Sequence, residues 1–218
     1  MDTAARGLFI VLLGIDGSGK TSLLSELSDN NLTTVSWREL RHHELPSVMA
    51  PDAPTDVKNR LSDLPRAMFI GGHIVAQYEH LVRPNVTAGR NVLLDSYWYK
   101  VLAKERLVGR THPALDELRL LLPVPDAVVL LDVDPRTAWA RKNASCTPYE
   151  HFDDPAGRRA GFIRFQQRLR ERWEDDLRDH PAVYRLDGER GFDTVLTSLR
   201  DTVELCTVPR LPSLEALS

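Results

Sequence analysis

Residues 14–21 read Gly-Ile-Asp-Gly-Ser-Gly-Lys-Thr, and their types and spacing describe one kind of chemistry. Gly14, Gly17 and Gly19 let the backbone curl so that successive N–H groups face inward, a concavity suited to phosphate oxygens. Lys20 brings a positive charge that can reach the β- and γ-oxygens of a triphosphate. The Thr21 hydroxyl can take one position in the octahedral shell of Mg²⁺. With Asp16 and Ser18 between them, these residues fit G-x-x-x-x-G-K-[ST], and the context matters more than the pattern. An apolar run precedes it at 8–13 and a helical pattern follows from Thr21, whose positive end adds to the cradle. ATP and Mg²⁺ are the expected cofactors.

Phosphoryl transfer also asks for a carboxylate near the metal, at the edge of the sheet where the loop emerges. Asp95 closes the run Val92-Leu93-Leu94 and meets that need, though an aspartate there also suits the cap of the following helix. Asp132 and Asp134 end another apolar run and are rivals. Charge developing on the transferred group must be met by preorganised cations. Arg136, Arg141, Lys142, Arg158 and Arg159 bracket a polar segment at 143–157, which reads either as a lid at about 141–158 or as a solvated basic face.

The elements that must hold these groups are short apolar runs at 8–13, 33–37, 91–94, 127–133 and 182–186. They alternate with helical patterns at 21–27, 66–88, 97–107, 113–122, 136–142, 155–179 and 192–206. Runs without polar alternation, such as Val128-Val129-Leu130-Leu131, suit strands covered on both faces. The expected fold is α/β: three layers, α/β/α, around a central, mostly parallel five-stranded sheet, with a small lid. Residues 1–206 form one domain of the P-loop kinase type and 207–218 a C-terminal tail. The proline-bearing stretch 45–65 reads as a loop or broken helix. In the helix at 155–179 alternating acids and bases describe a solvated surface with no binding role.

Composition narrows the function further. The chain has 218 residues, 28 Lys+Arg against 31 Asp+Glu and a net charge of −3, which gives no general cation surplus for nucleic acid. Only five of the cations are lysines. Cys146 and Cys206 stand apart with no metal-site spacing, and the run at 8–13 is far too short to span a bilayer. A cytoplasmic protein that binds neither nucleic acid nor membrane is the expectation.

In order and spacing, from Leu8 to about Val203, the chain resembles the thymidylate kinase (dTMP kinase) family, P-loop nucleoside monophosphate kinases of nucleotide biosynthesis. Asp16 matches the family's acidic residue facing the acceptor sugar. Arg38-Glu39 resembles its Arg-Glu step, Arg83-Pro84 its Arg-Pro step, and Asp95-Ser96-Tyr97 its Asp-Arg-Tyr step. Leu131-Asp132-Val133-Asp134-Pro135 matches the Leu-Asp-Val-x-Pro step before the lid, and Asp187-Gly188 the segment near adenine. The resemblance implies an ATP-dependent kinase acting on dTMP, with Lys20, Asp95 and Arg141 in catalysis. It assigns Thr21 and Asp95 to the metal and Asp16, Arg38, Ser96, Tyr97 and Lys100 to the acceptor. A homodimer is compatible with it. Because the phosphate loop has no arginine, the chain is similar to the branch that draws its cation from the lid, which favours Arg141.

The departures fall where the acceptor's phosphate is gripped. Ser96 replaces an arginine, Leu40-Arg41-His42 replaces Pro-Gly-Gly, and Gly71-Gly72-His73-Ile74 stands where another arginine is expected. Lys100, four residues after Ser96, shares its helical face and offers a substitute cation, with Arg38 and Arg41 supplying the rest. Alternatively the acceptor is an unphosphorylated nucleoside or another small hydroxyl compound, or the protein is a nucleotide-dependent switch. Tyr97-Trp98-Tyr99 reads equally as a stacking wall for a base or as core.

Overall fold

The computed structural model of the protein describes residues 6–27, 32–36, 61–143, 145–147, 150 and 158–207. Five parallel strands, β1 (Phe9–Gly14), β2 (Leu32–Val35), β3 (Asn91–Asp95), β4 (Ala127–Asp132) and β5 (Val183–Asp187), form one sheet in the order β2-β3-β1-β4-β5. Phe9 is in register with Val92 on one side of β1, and Ile10 with Ala127 on the other. Every residue of β1 is buried, including those that point to alternate faces, so both faces are covered by helices. The all-apolar run fits that environment, whereas β5, at the sheet edge, is only partly covered.

Among the described residues the strands alternate with eight α-helices: α1 (Lys20–Leu27), α2 (Asp63–Gln77), α3 (Arg83–Thr87), α4 (Tyr97–Leu107), α5 (Pro113–Leu121), α6 (Pro135–Arg141), α7 (Arg158–Asp176) and α8 (Phe192–Thr207). α1 packs with α8, and α4 packs with α2, α7 and β1. β3 and β4 flank β1, so the chain departs from the centre of the sheet in two directions. The loop after β1 opens at that divide, the usual ligand crevice of an open α/β sheet.

Two expectations are corrected and a third reading, left open between two alternatives, is decided. The pattern at 66–88 is not one helix. α2 starts at Asp63, with Pro65 in its first turn, where a missing N–H costs nothing. It then passes through a wide π turn, Tyr78–Val82, into α3. Pro84 cannot donate to His80 and its ring crowds that carbonyl, and the Arg83 N–H bonds Tyr78 instead. The helix at 155–179 is α7, and it is not merely solvated. Phe162, Phe165, Gln166, Leu169 and Trp173 are buried along one face. Third, Tyr97, Trp98 and Tyr99 belong to the core, with the Tyr97 ring edge-on to Phe9 at 5.1 Å. Most of the 141–158 segment, most of the 45–65 stretch and the tail beyond Thr207 lie outside the described residues. Among those described, no helix is long and apolar enough to cross a membrane.

Trp173 shows no exposure, and its indole N–H donates to the Tyr99 carbonyl at 3.3 Å, tying α7 to α4. Trp173→Ala should cost about 3–5 kcal/mol of folding free energy, read by urea unfolding; a loss under about 1 kcal/mol would show that this joint carries little.

Candidate active site

The loop from Gly14 to Thr21 is built by its glycines at two points. Gly17 has φ +81°, and a Cβ there would lie 2.6 Å from the Ala138 carbonyl oxygen; Gly19 has φ +98°. Lys20, at the first turn of α1, folds back so that its ammonium donates to the carbonyls of Gly14 at 2.8 Å and Ile15 at 3.2 Å. Thr21 is exposed on the wall of a cavity of about 980 Å³ that runs from the loop in two directions. One end is lined by Arg141, Gly188, Gly191 and Phe192, the other by Asp95, Ser96, Lys100, Lys104 and Arg66. Four of the chain's five lysines face it: Lys20, Lys100, Lys104 and Lys142.

Arg141, last residue of α6, reaches back over the loop, donating to the Ser18 carbonyl at 3.3 Å and the Gly188 carbonyl at 2.8 Å. Its guanidinium is therefore aimed at the phosphate cradle. Among the other cations of the expected lid, Lys142 pairs with Glu150 at 3.1 Å and lines the cavity. Arg136 is exposed beside Asp134, and neither Arg158 nor Arg159 lines the cavity.

The three rival carboxylates separate cleanly. Asp134 caps α6, accepting from the Arg136 N–H at 2.7 Å, and Asp132 pairs with Arg170 at 2.5 Å; neither lines the cavity. Asp95 ends β3 on the cavity wall. It is not the cap of α4: that position belongs to Ser96, whose hydroxyl donates to Asp95. Ser96 and Tyr97 hold φ of 71° and 46°, left-handed values that cost a non-glycine residue about 1–3 kcal/mol each. The turn from β3 into α4 is thus strained, and it fixes Asp95 and Ser96 at the crevice.

Asp16 is the electrostatic hub. Lys100 contacts its Oδ1 at 2.7 Å and Lys104 its Oδ2 at 2.8 Å. Gln166, from α7, donates to Oδ2 and accepts from the Asp16 N–H, both at 3.1 Å. Burial by itself would raise the Asp16 pKa, but the two ammoniums overcome it and hold the carboxyl well below the usual carboxylate range. Lys20 moves the other way. Burial first, and then the neighbouring Lys100 ammonium, push it down to about 7 against the pull of Asp95 and Asp16. Deeper along α4, Arg66 and Glu105 form a buried bidentate pair at 2.5 and 2.6 Å.

The structure therefore brings together Gly14, Asp16, Gly17, Ser18, Gly19, Lys20, Thr21, Asp95, Ser96, Lys100 and Arg141 around one crevice. It does not bring Tyr97, which is fully buried against Phe9 and does not line the cavity. Arg83 is on the surface, paired with Glu79 at 2.7 Å, and Arg38 and Arg41 lie outside the described residues. Lys104, Gln166, Arg66 and Glu105 were not expected from the sequence. For Lys104 a signal existed, the four-residue step from Lys100; for Gln166, amid a charged helix, there was none.

Polyphosphate oxygens would draw the Lys20 pKa back up, so ADP binding at about pH 8.5 should take up close to one proton and weaken as pH rises above 7. Calorimetry in buffers of different ionisation heat reads this, and Lys20→Met should abolish it. The sign for folding follows from the same group. Between about 7 and 10.5 the unfolded chain keeps a proton that the folded one has released, so stability rises with pH across that window. Uptake unchanged in Lys20→Met would show that the proton goes elsewhere.

No family model matches the sequence. The thymidylate kinase of Xanthomonas oryzae pv. oryzae (strain PXO99A) is 31% identical over 154 residues, 67% of this chain; the match spans 65% of that relative's length. That of Ruegeria pomeroyi is 27% identical over 216 residues, covering 92% of this chain and 96% of the relative. The probable thymidylate kinase of Thermococcus gammatolerans is 23% identical over 218 residues, covering 91% and 96%. The solved structure of thymidylate kinase from Candida albicans shares the fold, with a TM-score of 0.62 over 92% of both chains at 20% identity. With the order of the motifs around the crevice, these likenesses make the chain similar in sequence to thymidylate kinases, while the chain spans just under two thirds of the length of the Xanthomonas relative.

Proposed function

We propose that the protein is a kinase that moves the γ-phosphoryl of ATP to a deoxynucleoside monophosphate, dTMP to dTDP. The observation that carries this reading is one continuous cavity that takes in the phosphate loop, the Gly188–Phe192 side and a polar, lysine-rich stretch of α4. Two substrates can thus meet across the loop, as direct transfer demands. The names of the relatives point to the same reaction.

In this mechanism the loop N–H groups and Lys20 hold the triphosphate, and Arg141 meets charge that builds on the transferred group. Thr21 and Asp95 would hold Mg²⁺, which neutralises charge on the phosphate oxygens when bound. Among the described residues no cluster of three or more His, Cys, Asp or Glu side chains could hold a metal alone. That suits Mg²⁺, which takes one or two protein ligands and completes its shell with phosphate and water. Asp16, kept ionised, faces the acceptor arm.

A second reading is favoured by one observation. Ser96 stands at the crevice where the resemblance leads one to expect an arginine, and Arg66, Lys100 and Lys104 each contact a carboxylate. An acceptor without phosphate, such as thymidine, would ask for no further cation.

ADP release measured with dTMP, dUMP, thymidine or no acceptor separates the readings. The expectation is ADP formed in step with dTMP consumed, and a loss of at least about 10³-fold in kcat/KM in Lys20→Ala. Turnover with thymidine alone would install the second reading. Slow hydrolysis indifferent to every acceptor would mean a nucleotide-driven switch.

A further inference from the structure

Lys100 and Lys104 stand one helical turn apart on α4, on the face that also carries Ser96. Both side chains are nearly or fully withdrawn from solvent, at 16% and 5% exposure, and both line the cavity. They reach opposite oxygens of the one Asp16 carboxylate. The shared carboxylate keeps the two ammoniums close together on the cavity wall, where an incoming phosphate would meet both.

We propose that Lys100 and Lys104 together seat the phosphate of the acceptor, and that Asp16 is a positioning residue that holds the two ammoniums side by side. This rests on the reading of the acceptor as a nucleoside monophosphate.

Charge supports the assignment. Lys100 and Lys104 bring two ammoniums to one stretch of the cavity wall where little water reaches, a setting that favours anions over neutral ligands. Asp95 and Glu150 also stand on the cavity wall, and both act on Lys100 at longer range than Asp16 does. A phosphate entering from the cavity would meet both ammoniums. If packing were all that mattered, apolar side chains at 100 and 104 would fill the same volume at lower cost.

Position supports it as well. Asp16 belongs to the phosphate loop, so the pair it holds lies beside the donor's terminal phosphates. Gln166 ties the Asp16 main chain and carboxylate to α7, with the Glu150 carbonyl 3.4 Å from the same amide, and so fixes the direction in which the carboxylate presents its oxygens. Lys104 also stands 6.0 Å from the centre of the Phe165 ring, which restricts where its ammonium can go. The seat is rigid on three sides and open to the cavity on the fourth.

The test is calorimetric binding of dTMP and of thymidine to the full chain, as wild type, Lys100→Gln, Lys104→Gln and Lys104→Arg. Glutamine keeps a donor towards Asp16 while removing the charge. In both glutamine variants the affinity for dTMP should fall at least about tenfold, while that for thymidine stays within about twofold. Far-UV circular dichroism and an unfolding midpoint close to those of the wild type show that the variants are folded, and Lys104→Arg should keep most of the dTMP affinity. Unchanged dTMP affinity in the glutamine variants overturns the proposal, as does an equal fall for dTMP and thymidine. Wild-type protein that binds thymidine but not dTMP refutes instead the monophosphate reading on which the proposal stands.

Discussion

A single buried ammonium sets the terms for the rest of the molecule. Lys20 is 6% exposed, and with no water to solvate it its charge must be met by oriented dipoles, which the Gly14 and Ile15 carbonyls supply. Those carbonyls face inward only because the chain leaves β1 through left-handed turns at Gly17 and Gly19. The turn, in turn, needs a strand that does not yield. β1 is that strand: it is bonded on both sides and buried on both faces. Sheet order and glycine placement are two consequences of keeping one charge where water is scarce.

The same scarcity couples the two arms of the cavity. Lys100 pushes the Lys20 pKa down and is itself raised by Asp16 and Asp95 despite its burial. Asp16 belongs to the phosphate loop, yet its carboxylate engages side chains of α4 in the other arm. A change of charge in one arm is therefore felt in the other through contacts of under 3 Å. No moving part is needed for that coupling, and it gives a physical reason for the concentration of lysine here. An ammonium adjusts its proton affinity to its surroundings, whereas a guanidinium remains charged.

What could be read from the sequence follows from the range over which each feature is encoded. The phosphate loop is local: eight consecutive residues carry the glycines, the lysine and the hydroxyl, and all of them line or build the crevice. The strands were legible because unbroken apolar runs fit only doubly covered strands, and their observed bounds differ from the expected ones by one or two residues. The hub around Asp16 was only half legible. Lys100 could be placed by its step from Ser96, but Gln166 comes from 150 residues away, on a helix whose charge pattern describes its wet side alone. Tyr97 misled for a related reason. An aromatic at the start of α4 suits a stacking wall or a core equally, and the strained backbone at Ser96 and Tyr97 turned it inward. Asp95 fared the opposite way, since the residue after it took the capping position and left its carboxylate on the cavity wall.

The replacement of a guanidinium by ammoniums also bears on selectivity. A guanidinium reads an oxyanion through a planar fork and so fixes orientation as well as charge; an ammonium is a point charge that accepts many approaches. A pocket that answers its anion with Lys100 and Lys104 must therefore obtain direction from something else. The Arg66–Glu105 pair is placed to give it. Both side chains are within a few per cent of full burial, the contact is bidentate, and Arg66 faces the cavity beyond the lysines. An ion pair held that firmly contributes little net stability, because the desolvation of two charges offsets most of their attraction. What it does supply is a rigid polar edge to the cavity, held by two contacts between α2 and α4. Charge from α4 and shape from the α2–α4 contact then divide between them the work that a forked side chain at position 96 would do alone.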